Sequence, residues 1–462
     1  MKVSHSGAGM SVAFDDPNLV SCAGLVPAML LAERCGLHDL VAGKVTVPGP
    51  GGANASVKVS SLVAGMVAGA DCIDDMDVLR HGGVDRLFGG VRAPSTLGTF
   101  LRAFTFGHVR QLDSVAAAFL VNLAAHTPLL PGAEKCTFVD IDDTIKPTFG
   151  YAKQGVGYGY NKVKGINALI VTLSTPIASP VIAATRLRRG PVNSARGASH
   201  LLAEALGTAK KAGARGLIVV RADSAYYNHA MVATARRAGA RFSITVPNNT
   251  SVTRAIAGID EAAWTPIQYP NAIWDADEER FISDAEVAEI SYTAFTSLAK
   301  KHQVTARLIV RRVKRLNLAS APAGQTELFA TYRYHSVFTD SPMPTLEAET
   351  THRAHAIIEQ INADLKNGPL AHLPSGDFSA NGSWLVCAAM AFNLTRAAGV
   401  LASAFHAKAR TATIRNHLIN VPARVARSAR RVILHLPREW PWESAWQQLL
   451  TQVSRPPPTP AS

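Results

Sequence analysis

The run Ala168-Leu169-Ile170-Val171-Thr172-Leu173 is almost entirely apolar and reads as part of a strand spanning residues 164–175. It belongs to a series. Residues 136–143 and 180–186 read as strands before and after it. Residues 216–222, with Leu217-Ile218-Val219-Val220 at their centre, read as a buried strand, and 240–246 as another. Between these last three, residues 197–212 and 228–238 read as helices. The order is three strands, then helix, strand, helix, strand. The first three lie close enough for an antiparallel meander, and the later two arrive through helices, as parallel additions do. The expected core is therefore α/β with a mixed sheet.

The rest of the chain divides around that core. Residues 1–130 are expected to be a helical N-terminal region, with helices over 25–33, 57–68 and 114–125. Within it, 94–102 reads either as the second helix of a helix-turn-helix, with Arg92, Arg102 and Arg110 close by, or as an ordinary core helix. Ser95 or Thr96 is the expected N-cap of that helix. Residues 128–132 read as a linker, and 131–247 as the first part of the core. Residues 248–345 read as a β-rich insertion, with strand-like pieces at 306–313 and 327–334. Residues 346–405 return to the core through two helices. The second, 381–404, is the most membrane-like segment, but Asn393 and Arg396 near its middle would be costly in lipid, so a buried helix is the better reading. Residues 406–462 form a basic C-terminal region ending in a Pro-rich tail expected to be disordered.

At 462 residues, with a formal charge of +13 and a pI near 9.7, the chain suits a polyanionic partner, nucleic acid above all. From Arg396 to Arg438 there is no acidic residue, and Arg424, Arg427, Arg430 and Arg431 fall in this stretch. A one-signed run of this kind favours phosphate contact over a mixed solvated face. Five scattered cysteines contain no C-x-x-C pair and suggest neither zinc nor a disulfide framework; a reducing compartment fits better. No positive region followed by an apolar run marks a signal peptide.

Three acids stand out against this background. In Val139-Asp140-Ile141-Asp142 alternate side chains share a face, so two aspartates point together from a strand, where Asp is disfavoured. Asp223 follows the end of a buried strand, where open α/β sheets build their sites. Glu359 lies on an amphipathic helix expected to run from His352 to Lys366, its apolar stripe set by Ile358, Ile361 and Leu365. His352, His355, Glu359 and Lys366 would share one face. Asp142, Asp223 and Glu359, with Asp140 in reserve, would make an oxygen-rich pocket for Mg²⁺ or Mn²⁺, two ions of which can clamp an in-line phosphoryl transfer. Lys366, His352 and His355 would hold the DNA backbone beside it.

The Asp–Asp–Glu order, the strand order and the late β-rich insertion resemble the DDE transposases with an RNase H-like core. The helix resembles the Y-x-x-R-x-x-x-E-x-x-x-x-x-x-K signature of transposases related to the insertion sequence 4 group, with His352 and His355 in place of Tyr and Arg. Val139-Asp140-Ile141-Asp142-Asp143-Thr144, Lys164-Gly165, Arg221-Ala222-Asp223-Ser224 and Leu436-Pro437-Arg438-Glu439-Trp440 are similar to phrases of the insertion sequence 1380 family. The resemblance implies a metal-binding triad of Asp142, Asp223 and Glu359, with Asp142 preferred to Asp140 because the family places the acid two residues before a Thr or Ser. It also implies binding of terminal inverted repeats, metal-dependent cleavage with strand transfer into target DNA, a dimer or larger assembly on DNA, and a place on the nucleoid in a bacterial cytoplasm. A nuclease of the same fold and a catalytically inactive DNA-binding relic or regulator are the alternatives.

Overall fold

The structure is a computed structural model and describes residues 11–149, 152–267, 274–275, 280–281, 285–314, 332–428 and 431–455. Among these, ten strands build one sheet: β1 (Cys136–Pro147), β2 (Gly157–Tyr158), β3 (Lys164–Ser174), β4 (Val181–Arg188), β5 (Leu217–Ala222), β6 (Arg241–Val246), β7 (Thr265–Ile267), β8 (Ala285–Ala294), β9 (Val304–Lys314) and β10 (Tyr332–Thr339). The spatial order is β2-β3-β1-β5-β6-β10-β9-β8-β7, with β4 also paired to β3. The first three long strands form the expected antiparallel meander, and β5 and β6 run parallel to β1. Strands β7 to β10 continue the same sheet, because β10 pairs with β6. The strand-like piece expected at 327–334 lies outside the described residues up to position 331; from Tyr332 it is β10.

Each crossover is explained by its sequence. Between β4 and β5, Leu201, Leu202, Ala205, Leu206 and Ala209 of a helix over Ala198–Lys211 recur at helical spacing and are fully buried. Between β5 and β6, the helix His229–Arg237 is capped by Asn228, whose side chain accepts from the Met231 N–H at 3.1 Å. The apolar run of β3 is buried at every position from Ala168 to Leu173.

The N-terminal region is helical: α1 (Leu25–Arg34), α2 (Ala55–Ala68), α3 (Pro94–Arg102) and α4 (Phe106–His126). Helix α3 begins one residue before the expected caps. Pro94 occupies its first turn after extended Ala93, as suits a residue with fixed φ and no N–H to satisfy. The longer helices that follow include α5 (Ala198–Lys211), α6 (His229–Arg237), α7 (Thr345–Arg353), α8 (Ile357–Lys366) and α9 (Phe378–Ala402).

Helix α9 is long and apolar enough to cross a membrane by length and composition, yet most of it is buried inside the protein. It packs against α2, α4 and β4. Its polar residues are matched to the interior. Asn393 accepts from the Ile182 N–H and donates to the Ile182 carbonyl, both at 2.8 Å, closing the outer edge of β4. Arg396 donates to the carbonyls of Ala407 and Ala409. At the C-terminal side, Ala423–Ser428 and Arg431–His435 form a hairpin that pairs with Leu19–Val20. The Pro-rich tail lies outside the described residues.

Candidate active site

The register of the parallel pair sets the first two acids. Ile141 of β1 pairs with Ala222, the last residue of β5, so Asp142 and Asp223 each follow the last pair of that ladder, Asp142 still in β1 and Asp223 capping the next turn. Two positions before Asp142, Asp140 pairs with Arg221. Both oxygens of Asp140 accept from that guanidinium, Oδ1 from Nε at 2.6 Å and Oδ2 from Nη2 at 2.7 Å. Arg221 also donates to the Thr351 carbonyl at 2.7 Å. Asp140 is fully buried and engaged, and offers no free oxygen toward an ion.

Asp142 is different. Burial pushes its carboxyl up to about 7. A hydrogen bond from the Asp143 backbone works against that rise, while the charges of Asp223 and Asp143 add to it. Asp223 stands at the solvent edge, where its side chain accepts from the Ala225 N–H at 2.9 Å. Its carboxyl is also raised, first by desolvation and then, against the Ala225 bond, by Asp143. Acids that raise one another's pKa gain from a shared cation.

Glu359 arrives on α8. The expected single helix is broken into α7, a 3-10 turn over Ala354–Ala356, and α8. The break changes which side chains share a face. His352 turns inward, 4% exposed, with its ring nitrogens 3.0 Å from the Ser243 hydroxyl and 2.9 Å from that of Thr245. Burial, then the neighbouring His355 and Arg221, push its imidazole down to about 3, so it is neutral and enclosed. The expected phosphate contact of His352 does not fit this position. His355 stays on the site side, near enough to both Asp223 and Asp140 to favour their ionised forms.

Further along, Asn362 is buried and donates its amide to Asp142 Oδ2 at 2.8 Å. Glu359 is exposed and lies on the same stripe of α8, one turn before Asn362 and four residues after His355. Side chains three and four apart are neighbours, about 5–6 Å between Cβ atoms. The structure brings Asn362 against Asp142 and leaves Glu359 solvent-exposed on the same helix. Among the described residues no hydrogen bond or ion pair ties Glu359 to Asp142 or Asp223, and these three acids do not form a ligand cluster as tight as that of Asp71, Cys72 and Asp75. Lys366 continues the stripe, with Lys146 as its charged neighbour.

Three groups at this site are not apparent from sequence. Asn362 had a usable signal, its place one turn beyond Glu359. Tyr160 sits exposed in the turn after β2, and its phenol is raised by burial and then by the charges of Asp143, Asp142 and Asp223. Asp143 points away from Asp142 into a buried network with Arg188, Asn167 and Tyr226.

The remaining basic candidates lie on other surfaces. Arg102 is exposed at the end of α3, whose apolar residues Leu97, Phe100 and Leu101 are buried. Arg424, Arg427 and Arg431 are exposed on the C-terminal hairpin, and Arg424 pairs with Asp16 at 3.1 Å. Arg430 lies outside the described residues.

The sequence model of one protein family, described as Transposase DDE domain group 1, matches residues 3–458. No curated protein matches the chain.

Proposed function

The chain belongs to the DDE transposases, and from that premise we propose that Asp142, Asp223 and Glu359 are its metal-binding triad and that it cuts and joins the ends of its own element. The sheet order β4-β3-β1-β5-β6, with β1 at the centre, supports an RNase H-like core. Kinship with the insertion sequence 1380 family rests on the phrases quoted from the sequence. The observation that carries the reading is that Asp142 and Asp223 directly follow the last paired residues of β1 and β5, with α8 held to Asp142 through Asn362.

The residues present fit a divalent ion. The donors are carboxylate oxygens, which suit Mg²⁺ or Mn²⁺. Asn362 Oδ1 is buried with no partner, while the amide nitrogen of the same side chain is bound to Asp142. A hydrated Mg²⁺ brings waters that need such an acceptor. Asp140 is left out of the set because Arg221 already holds it.

When bound, the metal supplies activation of a water or a 3′-hydroxyl and neutralises the phosphate being attacked; two ions would serve both oxygens of an in-line displacement. The chain's own groups do the rest. Asp142 and Asp223 bring the negative charge that keeps cations at the end of the sheet. Asn362 fixes the plane of the Asp142 carboxylate. His355, in the 3-10 turn before α8, and Lys366, in the last turn of α8, would hold the strand by its phosphates.

The exposed arginines of the C-terminal hairpin and Arg102 at α3 are proposed as further backbone contacts, with the N-terminal helices binding the terminal inverted repeats. Joining two ends calls for a dimer or larger assembly. The setting is a bacterial cytoplasm, on the nucleoid.

The test uses DNA carrying matched element ends. Full-length protein with Mg²⁺ should cleave at the ends and, given a target duplex, join them to it. Cleavage without joining would identify a nuclease of the same fold. Binding without cleavage would identify an inactive DNA-binding protein.

A further inference from the structure

Asp143 is buried, and both its oxygens are engaged within the protein. Oδ1 accepts from the Tyr226 hydroxyl at 2.8 Å. Oδ2 accepts from the Arg188 guanidinium at 2.9 Å and from the Asn167 amide. Arg188 is fixed in turn by Asn167 Oδ1 and by the carbonyls of Ser194 and Arg196, each at 2.8 Å. Asp143, Asn167, Tyr226 and Arg188 are all buried, the last the most open at 8% exposed. Burying a carboxylate and a guanidinium is costly, and a well-packed apolar cluster of the same volume would stabilise the fold as well or better. What a closed polar network provides is a single geometry.

The members sit at telling places. Asp143 follows Asp142 directly in β1. Tyr226 ends the one-turn 3-10 helix that starts after Asp223. That turn is stiff: the Asp223 side chain accepts from the Ala225 N–H at 2.9 Å, and the Asp223 carbonyl accepts from the Tyr226 N–H at 3.2 Å. Asn167 and Arg188 tie the same point to β3 and β4. A hydroxyl bonded to Asp143 thus fixes, through three residues of turn, where Asp223 stands relative to Asp142.

We propose that Tyr226, Asp143 and Arg188 form a brace that sets the separation of Asp142 and Asp223, and that Tyr226 is a positioning residue for the metal pair without touching metal or DNA. This rests on the triad reading above. The brace fixes where Asp223 stands relative to Asp142 before an ion binds, so that binding requires little rearrangement. Without the Tyr226 hydroxyl, the turn is free to move Asp223 away from Asp142, and an ion must draw it back.

The experiment is Mn²⁺ titration of the metal-free full-length protein by calorimetry, alongside the metal dependence of end cleavage, for wild type, Tyr226→Phe, Asp223→Ala and Leu62→Ala. Leu62 is buried in α2, far from the site in sequence and element, and controls for general loss of stability. Tyr226→Phe should bind Mn²⁺ roughly tenfold more weakly, the scale of an outer-sphere loss at a metal site. Its half-saturating metal for cleavage should rise by the same factor, with the rate largely restored at saturating metal. Leu62→Ala should leave Mn²⁺ affinity unchanged. Unchanged affinity in Tyr226→Phe would overturn the brace, as would an equal loss in Leu62→Ala. If Asp223→Ala also binds Mn²⁺ like wild type, the triad itself is wrong; if only Tyr226→Phe does, the triad stands and the brace alone falls. Should Tyr226→Phe fail to fold, Asn167→Ser, which removes a second donor to Asp143, takes its place: weaker Mn²⁺ binding supports the brace, and unchanged binding overturns it.

Discussion

The Asn362 amide donates to Asp142 Oδ2 at 2.8 Å across 220 positions of sequence, and it is the bond through which the glutamate-bearing helix meets the central strand. Replacing Asn362 by Leu keeps the side chain's bulk and removes both the donor and the unpartnered Oδ1. We expect end cleavage to fall by about tenfold or more at limiting Mg²⁺, as for other outer-sphere losses, with end binding in gel-shift assays unchanged. Equal loss of binding would show that the residue supports the fold and not the site.

Proton and metal compete for the same carboxylates. The Asp142 carboxyl stands near 7 and that of Asp223 is raised in the metal-free protein. Below these values an ion must displace a proton; above them it need not. Mn²⁺ affinity should therefore rise between pH 6 and 8 and level off at higher pH, with proton release on binding seen as buffer-dependent heat in calorimetry. A flat profile over this window would count against the site.

His352 gives a stability prediction. Its imidazole is held down to about 3 in the folded protein, from an ordinary value of 6.5. As pH falls below 6.5 the unfolded chain takes up a proton that the folded chain refuses. This group's contribution is thus whole above that pH and is lost progressively toward 3, by at most about 1.4 kcal/mol per pH unit. His352→Gln, which can still meet Ser243 or Thr245, should flatten the acid limb of Tm against pH while leaving the value at pH 8 within a few degrees. DNA affinity should be unaffected, since the ring is enclosed.

Lys366 should behave as a phosphate contact. Lys366→Ala is expected to weaken end and random DNA alike and to lower the slope of log K against log salt by about one. Fluorescence anisotropy over a salt series reads this directly. Weakening confined to the element's ends would mean that the lysine reads sequence.

Much of the fold was legible because it is written in contiguous patterns. The apolar run at 168–173, the helical stripes at 197–212 and 228–238, and the buried strand ending before Asp223 all gave the mixed sheet and its order. What pattern could not give was pitch. The stripe His352–His355–Glu359–Lys366 assumes one helix, and the 3-10 turn over Ala354–Ala356 rotates His352 into the sheet. Nor could it give pairing at a distance. Asp140 and Asp142 look equivalent in a strand, and only the register with Arg221 separates the engaged acid from the one facing Asp223. Asp143, on the opposite face, reads from sequence only as the end of the strand 136–143; its partners Asn167, Arg188 and Tyr226 come from three other segments.

The most direct measurement is anomalous scattering from crystals of the full-length protein grown with Mn²⁺. A metal-binding triad predicts an anomalous peak within about 2.0–2.3 Å of carboxylate oxygens from Asp142 and Asp223, with Glu359 on the same ion or on a second beside it, and no peak at Asp140. A peak seated elsewhere, or none at Asp142 and Asp223 in saturating Mn²⁺, would contradict it.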